Sequence, residues 1–433
     1  MTVREGTAPE AWQAAFAAHP AAVMDPAVGR LLVVAAHPDD ETLGAGGFLR
    51  AVHAAGGRVR LVVATDGEAA FPQAGPAERA ALARTRRDEL DRALGALGLD
   101  GIEVHRLGLP DSGLADVEGE LVEALRPLAA DVDACLAPWV HDPHPDHAAA
   151  GRATLAAAPV GAHRFGYPIW TWPWGDPDDP RLPWPQLFVH RNDPAAQEAK
   201  RRAVRCHASQ LGPGADGGAP ILPPPVLAHF DTGSEAFFRI PPTASAPRER
   251  FAALYRDGSG DPWSTRTSWY ERRKLAVLAA SLPAPRYEHA AEPGCGTGEL
   301  TRLLGARCDA VTASDFTPAA VESTRAATAG MAGVTVAELA LPDPRAVPEG
   351  VDLVVCSEVL YYLGPDDLAA VVELIARAAR PGADIALLHW SGQAAESPQD
   401  AWATHRAFLD DPRFSTVVEH VDAEFLLHVV RCG

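Results

Sequence analysis

The sequence predicts an α/β protein built as two doubly wound domains. Each is expected to be a mostly parallel sheet with helices on both faces, the second sheet ending in an antiparallel hairpin. Three observations carry this. Short, uniformly apolar runs alternate with helix-period segments, the pattern of strands buried on both faces. The alternation runs through two separate series, divided by the Pro-containing stretch 241–247. The 433 residues suffice for two cores at roughly 100–200 residues per domain. The expected division is a first domain over 1–240, a linker over 241–250 and a second domain over 251–433.

In order, Leu31–Ala36 is an apolar run without polar interruption and reads as the first strand. Phe48, Leu49 and Val52 mark the helix behind it. Val59–Ala64 is the next strand, followed by a long charged helix from about Pro76 to Leu97. Ile102–Leu107 and Val132–Ala137 are further strands. The rhythm weakens after Trp170. Thr171–Pro185 reads as a loop, Arg191–Gln210 as a helix, Leu211–Pro225 as a Gly/Pro-rich break and Phe237–Ile240 as a last strand. The second series starts with a helix over Thr267–Ser281. Arg286–Ala291 is then a strand and Gly298–Leu304 a helix. Strands follow at Ala310–Ala313, Val334–Ala337, Val351–Cys356 and Ile385–His389. Ser415–Val417 and Phe425–Val430 are expected to close as a hairpin.

Composition narrows the function. The formal net charge is −19, which disfavours a nucleic-acid surface, since phosphates call for Lys and Arg. It equally disfavours an anionic membrane surface. The cysteines (135, 206, 295, 308, 356 and 432) are scattered, with no Cys-x-x-Cys. That spacing is expected of a reducing cytoplasm rather than a disulfide framework. No secretory leader and no run of 18 apolar residues is expected.

Chemistry concentrates directly after two strands of the first series. Ala36-His37-Pro38-Asp39-Asp40-Glu41 follows the first. Trp139-Val140-His141-Asp142-Pro143-His144-Pro145-Asp146-His147 follows the fourth. In parallel α/β sheets, sites form beyond the carboxyl ends of strands. His37 and Asp40, three apart, can face one cleft, and His147 would complete a His/Asp/His metal triad. Three protein ligands and one open position describe a catalytic zinc site better than a structural one, although the donor types also suit iron or nickel. Asp39 is the candidate base for a bound water. His144 is the candidate donor to a developing oxyanion or a leaving amine. His141 is a minor alternative to His144.

These motifs resemble the LmbE/PIG-L deacetylase family. Thr65-Asp66-Gly67-Glu68, Arg86-Arg87-Asp88-Glu89-Leu90, Leu109-Pro110-Asp111 and His207-Ala208-Ser209-Gln210 follow in the family's order, over roughly residues 25–240. The resemblance implies hydrolysis of an N-acetyl group on an amino sugar. His37, Asp40 and His147 would be zinc ligands, Asp39 the base and His144 the electrophilic helper. Arg87 and Asp111 would be either substrate contacts or surface ion pairs. Asp146 is expected to orient another group rather than bind metal.

The second series carries Glu292-Pro293-Gly294-Cys295-Gly296-Thr297-Gly298 between a strand and a helix. Its glycines let a ligand approach the backbone. The Gly-x-Gly-x-Gly pattern with Glu292 before it suits a sulfonium and an amino group better than a pyrophosphate. Asp315, closing the next strand, is placed to hold ribose hydroxyls. The expected cofactor is S-adenosylmethionine, bound by Glu292, Gly294, Gly296 and Asp315.

Together with Trp269-Tyr270-Glu271-Arg272-Arg273-Lys274, Ser357-Glu358-Val359-Leu360-Tyr361-Tyr362-Leu363 and His389-Trp390, the loop resembles Rossmann-like class I methyltransferases of the NodS type, over roughly 248–431. That resemblance implies methylation of a sugar amine freed by deacetylation. Asp343 is not in clear register with the acidic residue that usually lies near the adenine. Glu358 and Tyr361 lie where a substrate amine would pass, or are core residues. Tyr270, Arg273 and Lys274 either line the cofactor pocket or form a solvated face.

The expectation is a bifunctional enzyme acting on a small N-acetylated amino sugar or its conjugate. The alternatives are methylation of a different group on a larger natural product, or one domain serving only to bind.

Overall fold

The computed structural model describes residues 6–213, 219–257 and 261–433. The chain divides into two compact units between Ile240 and Pro241.

The first unit holds eight strands: β1 (Ala22–Val23), β2 (Arg30–Ala35), β3 (Arg58–Thr65), β4 (Glu103–Leu109), β5 (Ala134–Pro138), β6 (His163–Tyr167), β7 (Leu187–Arg191) and β8 (Ser234–Arg239). They lie in one sheet in the order β1-β7-β8-β6-β5-β2-β3-β4. The run from β4 to β6 is parallel, and β8 is antiparallel to both neighbours. Alternation along β2 explains the layering. Leu31, Val33 and Ala35 pack into one core cluster, and Leu32, Val34 and Ala36 into another on the opposite face. A strand buried on both faces has no polar positions to spare, hence its uninterrupted apolar run. The helix Asp40–Ala54 buries Ala45, Phe48, Leu49 and Val52, the i, i+3, i+4, i+7 stripe of a packed helix.

Three strands escape the sequence pattern: the two-residue β1, β6 and β7. β6 (His-Arg-Phe-Gly-Tyr) and β7 (Leu-Phe-Val-His-Arg) carry charged and ring-polar residues among their apolar ones. The expected loop 171–185 opens with a short helix, Thr171–Trp174. The expected helix over 191–210 begins only at Pro194, capped by Asp193, and breaks after Cys206. Within the break expected over 211–225, residues 214–218 lie outside the described residues.

The second unit holds β9 (Tyr287–Pro293), β10 (Cys308–Asp315), β11 (Val334–Glu338), β12 (Val351–Ser357), β13 (Ala379–Trp390), β14 (Phe414–Val421) and β15 (Phe425–Cys432). Their order is β11-β10-β9-β12-β13-β15-β14. The strands from β11 to β13 are parallel, and β15 is antiparallel to β13 and β14. The C-terminal hairpin therefore forms and joins the sheet through its second strand. The stretch expected as a linker is packed instead. The Ala246 amide donates to Tyr362 O at 2.8 Å, the Ser245 hydroxyl bonds Asp367, and a helix starts at Arg248. Its Pro content reads as a spacer, but its polar groups find partners in the second unit.

In each sheet the chain order reverses once between adjacent parallel strands, at β2/β5 in the first and β9/β12 in the second. Crevices at the carboxyl ends of such strand pairs bind ligands. Among the described residues, no helix is long and apolar enough to cross a membrane, and the six cysteines are free thiols.

Candidate active sites

At the β2/β5 crevice, His37, Asp40 and His147 converge. His37 Nδ1 lies 3.2 Å from His147 Nε2, His147 Nε2 lies 3.2 Å from Asp40 Oδ1, and His37 Nδ1 lies 3.7 Å from Asp40 Oδ2. A four-coordinate ion with bonds of about 2.1 Å requires donor separations of about 3.4 Å. The two imidazole nitrogens lie near that edge length, and Asp40, which turns a different oxygen to each, places a third donor within 4.8 Å of both, so the donor set suits a zinc-sized ion.

Each imidazole is held from behind. His147 Nδ1 lies 3.1 Å from Asp142 Oδ1. His37 Nε2 lies 3.2 Å from both Asp111 Oδ1 and Asp146 Oδ2. Carboxylates at the far nitrogen fix the tautomer and aim the other lone pair at a metal. Those carboxylates are themselves tied down. Asp142 accepts from the amides of Ile169 and Thr171 at 3.0 and 3.1 Å. Asp146 accepts from Ser112 and Leu114 at 2.7 and 3.1 Å.

Charge balance tells the same story. Burial alone would depress His37 and His147, but the surrounding carboxylates outweigh it and lift them to about 9 and about 10. Asp40 is held well below the usual carboxylate range by His147 and His37, against its burial. This is a buried anionic cage that stabilises positive charge.

Asp39 stands between the donors in a different environment. Its φ of 141° is strained for a residue with a Cβ, a cost of about 1–3 kcal/mol. Local bonds hold it there: its carbonyl accepts from Leu43 N at 2.8 Å, and its amide donates to Glu41 Oε2 at 3.3 Å. Its carboxylate meets Arg86 Nη2 at 3.1 Å. Burial, partly offset by Arg86, pushes its pKa up to about 6. His144 caps the helix Pro145–Ala157, its Nδ1 accepting from Asp146 N at 3.2 Å. The neutral ring therefore carries its proton on Nε2. Burial, with the charges on His147 and His37, lowers it to about 4.

The remaining first-half candidates separate. Asp111 backs His37, as above, and Asp146 does the same. Arg87 forms a two-pronged pair with Asp66 through Nε at 2.7 Å and Nη2. His141 is exposed and packs edge-on to Trp139. Sequence reasoning missed Arg86 and Asp142. A signal for Arg86 existed: it shares a helical face with Glu89, Leu90, Ala93 and Leu97, all buried, whereas Arg87 lies off it.

At the β9/β12 crevice a cavity of about 590 Å³ opens among Glu292, Gly294, Gly296, Asp315, Phe316 and Trp263, with further walls. That is an ordinary size for a cofactor pocket. The glycine loop is needed sterically. At Gly294 (φ 81°) a Cβ would lie 2.9 Å from Val359 Cβ, and at Gly298 (φ 84°) 2.8 Å from Thr324 Cα. At Gly296 (φ 55°) it would meet only Trp263 and Tyr255 atoms at 3.9 Å, across the cavity.

Asp315 accepts from Gly296 N at 3.2 Å and Thr317 N at 2.8 Å. Glu292 is buried, with Oε2 lacking a hydrogen-bond partner, and burial lifts its pKa to about 8. A buried acceptor without a donor costs free energy unless a ligand supplies one.

Tyr270, Lys274, Glu358 and Tyr361 all line this cavity. Arg273 does not; it pairs with Asp422 and lies over Phe425, 5.2 Å from the ring centroid. Asp343 pairs with Arg345 at the surface. Leu339, Ala340 and Leu341 form that wall instead.

The two crevices define an enzyme with a de-N-acetylase half and a methyltransferase half. Residues 32–158 match the family model for GlcNAc-PI de-N-acetylase (PIG-L), and residues 291–385 match a methyltransferase domain model. The chain is 33% identical over 265 residues to 1D-myo-inositol 2-acetamido-2-deoxy-alpha-D-glucopyranoside deacetylase of Mycobacterium sp. (strain KMS), covering 48% of this chain and 84% of that protein. The same-named protein of Mycobacteroides abscessus is 32% identical over 45% of this chain and 85% of its own length. Nodulation protein S of Bradyrhizobium diazoefficiens is 34% identical over 104 residues, 24% of this chain and 49% of that protein, so the chain spans about half of that relative. Through its first unit the chain belongs to the PIG-L de-N-acetylase family, and its second unit carries a methyltransferase domain.

Proposed function

We propose that the first unit is a zinc-dependent N-deacetylase of a 2-acetamido sugar or its conjugate, and that the second methylates the amine this releases, using S-adenosylmethionine. The observation that carries the first half is the convergence of His37 Nδ1, Asp40 and His147 Nε2, with a carboxylate behind each imidazole. Those three residues hold the zinc. When bound, the ion supplies an acidified water and polarises the acyl oxygen. Asp39 takes the proton from the water, being a carboxylate in the same cleft that is not in the donor set. His144 Nε2–H donates to the oxygen on which charge develops. Arg86 keeps the Asp39 carboxylate aimed and buried.

In the second unit Glu292, Gly294, Gly296 and Asp315 hold S-adenosylmethionine. The cofactor supplies an electrophilic methyl group. The unpaired Glu292 oxygen suits its cationic amino-acid end, and Asp315 suits the ribose. The named substrates of the relatives support an amino-sugar substrate, since one group of relatives is named for a 2-acetamido-2-deoxy-glucopyranoside. The chemistry links the halves, because hydrolysis of an amide makes the nucleophile that methylation consumes.

Incubating N-acetylated amino sugars with the full chain, zinc and S-adenosylmethionine tests this by mass. Loss of 42 Da (about one acetyl replaced by hydrogen) followed by a gain of about 14 Da is expected. Methylation of the still-acetylated compound would overturn the sequence of steps.

A further inference from the structure

We infer that Tyr361 and Glu358 are the proton exit of the methyl-transfer half, so that its acceptor is an amine that arrives as an ammonium. This deepens the methyltransferase reading above and rests on it. Among the cavity walls are Tyr270, Glu271, Lys274, Glu358, Tyr361 and Trp390. The Glu358 carboxylate is fully engaged. Oε1 accepts from Lys274 Nζ at 2.7 Å. Oε2 accepts from Trp390 N at 3.1 Å and from the Tyr361 hydroxyl. Lys274 Nζ also donates to Glu271 Oε1 at 2.9 Å.

Two carboxylates against one ammonium leave this wall with one excess negative charge, which attracts a cation. A phenol has one proton and two lone pairs. The Tyr361 proton is committed to Glu358 and the neighbouring Tyr362 hydroxyl occupies one lone pair, so the remaining lone pair is the acceptor that an incoming N–H can meet. The backbone around the pair is held in an uncommon conformation. Glu358 sits at φ 56° without being glycine. The turn is pinned by Glu358 N to Leu388 O at 2.9 Å and by Leu360 N to His389 Nε2 at 3.2 Å. The titratable neighbours of the pair are Lys274, Glu271 and Tyr270 around Glu358, and Tyr362 and His389 around Tyr361.

The step balances. The ammonium gives a proton to Tyr361 Oη while the tyrosine's own proton passes to Glu358 Oε2. The amine is then neutral, the phenol is regenerated and Glu358 is a carboxylic acid. The amine lone pair forms the N–CH₃ bond as the S–CH₃ bond breaks, its electron pair staying on sulfur. The product is a methylated ammonium and a neutral thioether. Glu358, whose side chain is 26% exposed, returns its proton to solvent.

The test uses Tyr361→Phe in the full chain, which keeps the ring and removes only the hydroxyl. D-Glucosamine, D-galactosamine and methyl glucosaminide are the acceptor probes, and whichever the wild type methylates is carried forward. The variant is expected to bind S-adenosylmethionine with unchanged Kd by calorimetry. Its kcat/KM should fall by about tenfold or more at pH 6.5, where only about one amine in ten or fewer arrives neutral, and recover to within about twofold of wild type at pH 10, where the amine arrives neutral. A readout independent of turnover is the ¹⁵N resonance of labelled acceptor bound with S-adenosylhomocysteine. Its titration midpoint should lie at least about one unit higher in wild type than in the variant, because the Tyr361 oxygen accepts from the charged form. A loss that is equal at all pH values, no loss, or identical midpoints would overturn the relay while leaving the methyltransferase standing. Failure of the wild type to bind S-adenosylmethionine, or to methylate any probe, would overturn the underlying reading and the relay with it.

Discussion

Replacing Asp39 by Asn separates the base from the architecture around it. In the wild type the Asp39 carboxylate, 8% exposed, faces Arg86, 4% exposed, at 3.1 Å. Arg86 has two other acceptors, Gly67 O at 3.0 Å and Pro38 O at 2.9 Å. An Asn side chain can still accept from Arg86 through its carbonyl, and Asn tolerates positive φ about as well as Asp. The folding cost is then the difference between a charged and a neutral hydrogen bond, about 1 kcal/mol. What Asn cannot do is take a proton. Loss of a general base is worth about 10²–10⁴ in rate, or about 3–5 kcal/mol of barrier.

Asp39→Ala removes the acceptor as well. It strands the Arg86 charge in a buried site, a cost of about 3–5 kcal/mol, and Tm should fall by on the order of 10 °C. The expected pattern is that both variants lose acetate release alike, only Ala loses stability, and both retain zinc. Acetate release, metal content by mass spectrometry and calorimetric melting read these separately. An Asn variant within tenfold of wild-type kcat would refute the base assignment. An Asn variant that lost its zinc would show that Asp39 belongs to the ligand set.

Three further outcomes are expected. Stripping the metal with a chelator should abolish deacetylation and leave methylation of a free amino sugar at the wild-type rate, because no residue of the second cavity belongs to the His37–Asp40–His147 set; added zinc should restore the first activity. Gly296→Ala puts a methyl group into the cavity and should weaken S-adenosylmethionine binding at least about tenfold, while Gly298→Ala drives a Cβ to 2.8 Å from Thr324 Cα and should lower Tm instead. The third outcome concerns pH. Leu360 N donates to His389 Nε2, His389 Nδ1 lies 2.8 Å from His405 Nε2, and His405 Nδ1 lies 2.7 Å from His428 Nδ1, a chain that suits three neutral rings. Burial lowers His389 to about 4 and depresses His405 and His428 as well. A histidine lowered in the fold is stabilising above its unfolded pKa of about 6.5. That stability is lost as pH falls through the window down to about 4, with about 3 kcal/mol at stake for His389; a Tm that stays flat from pH 7 to 4.5 would contradict it.

How much could be read from the sequence depended on whether burial left a mark on residue type. β2, β3, β5 and β12 are legible because a strand covered on both faces tolerates few polar residues. β6 and β7 are not, because each mixes arginine or histidine with its apolar positions. Arg164 is itself buried, which no local pattern announces. At the first site, His37, Asp40 and His147 are legible because they directly follow strands, and strand ends converge at a reversal of chain order. Arg86 and Asp142 are harder, since they contact Asp39 and His147: for Arg86 only its place on the buried helical face marked it out, and for Asp142 no spacing rule did. Arg87 is more visible as a charge beside a motif, yet its partner is Asp66. For the second site, Asp343 illustrates the limit: only coordinates place it outside the cavity and put Leu339–Leu341 on the wall.

The same geometric device serves two different chemistries in this chain. In both sheets the strand after the reversal contributes an essential wall: β5 leads into the His144–His147 cluster, and β12 leads into Glu358 and Tyr361. In both, a non-glycine residue with positive φ stands just past a strand end, Asp39 after β2 and Glu358 after β12. Such strain persists only where surrounding bonds over-determine it, and here those bonds are specific. Asp39 is fixed by Leu43 and Glu41, and Glu358 by Leu388, Lys274 and Trp390. Each strained residue is also the carboxylate assigned to move a proton. Releasing a backbone carbonyl or amide from these bonds would let the carboxylate swing away from its cleft. The strain and the proton-transfer role are thus coupled at both sites, and relaxing either backbone should reduce rate more than ligand affinity.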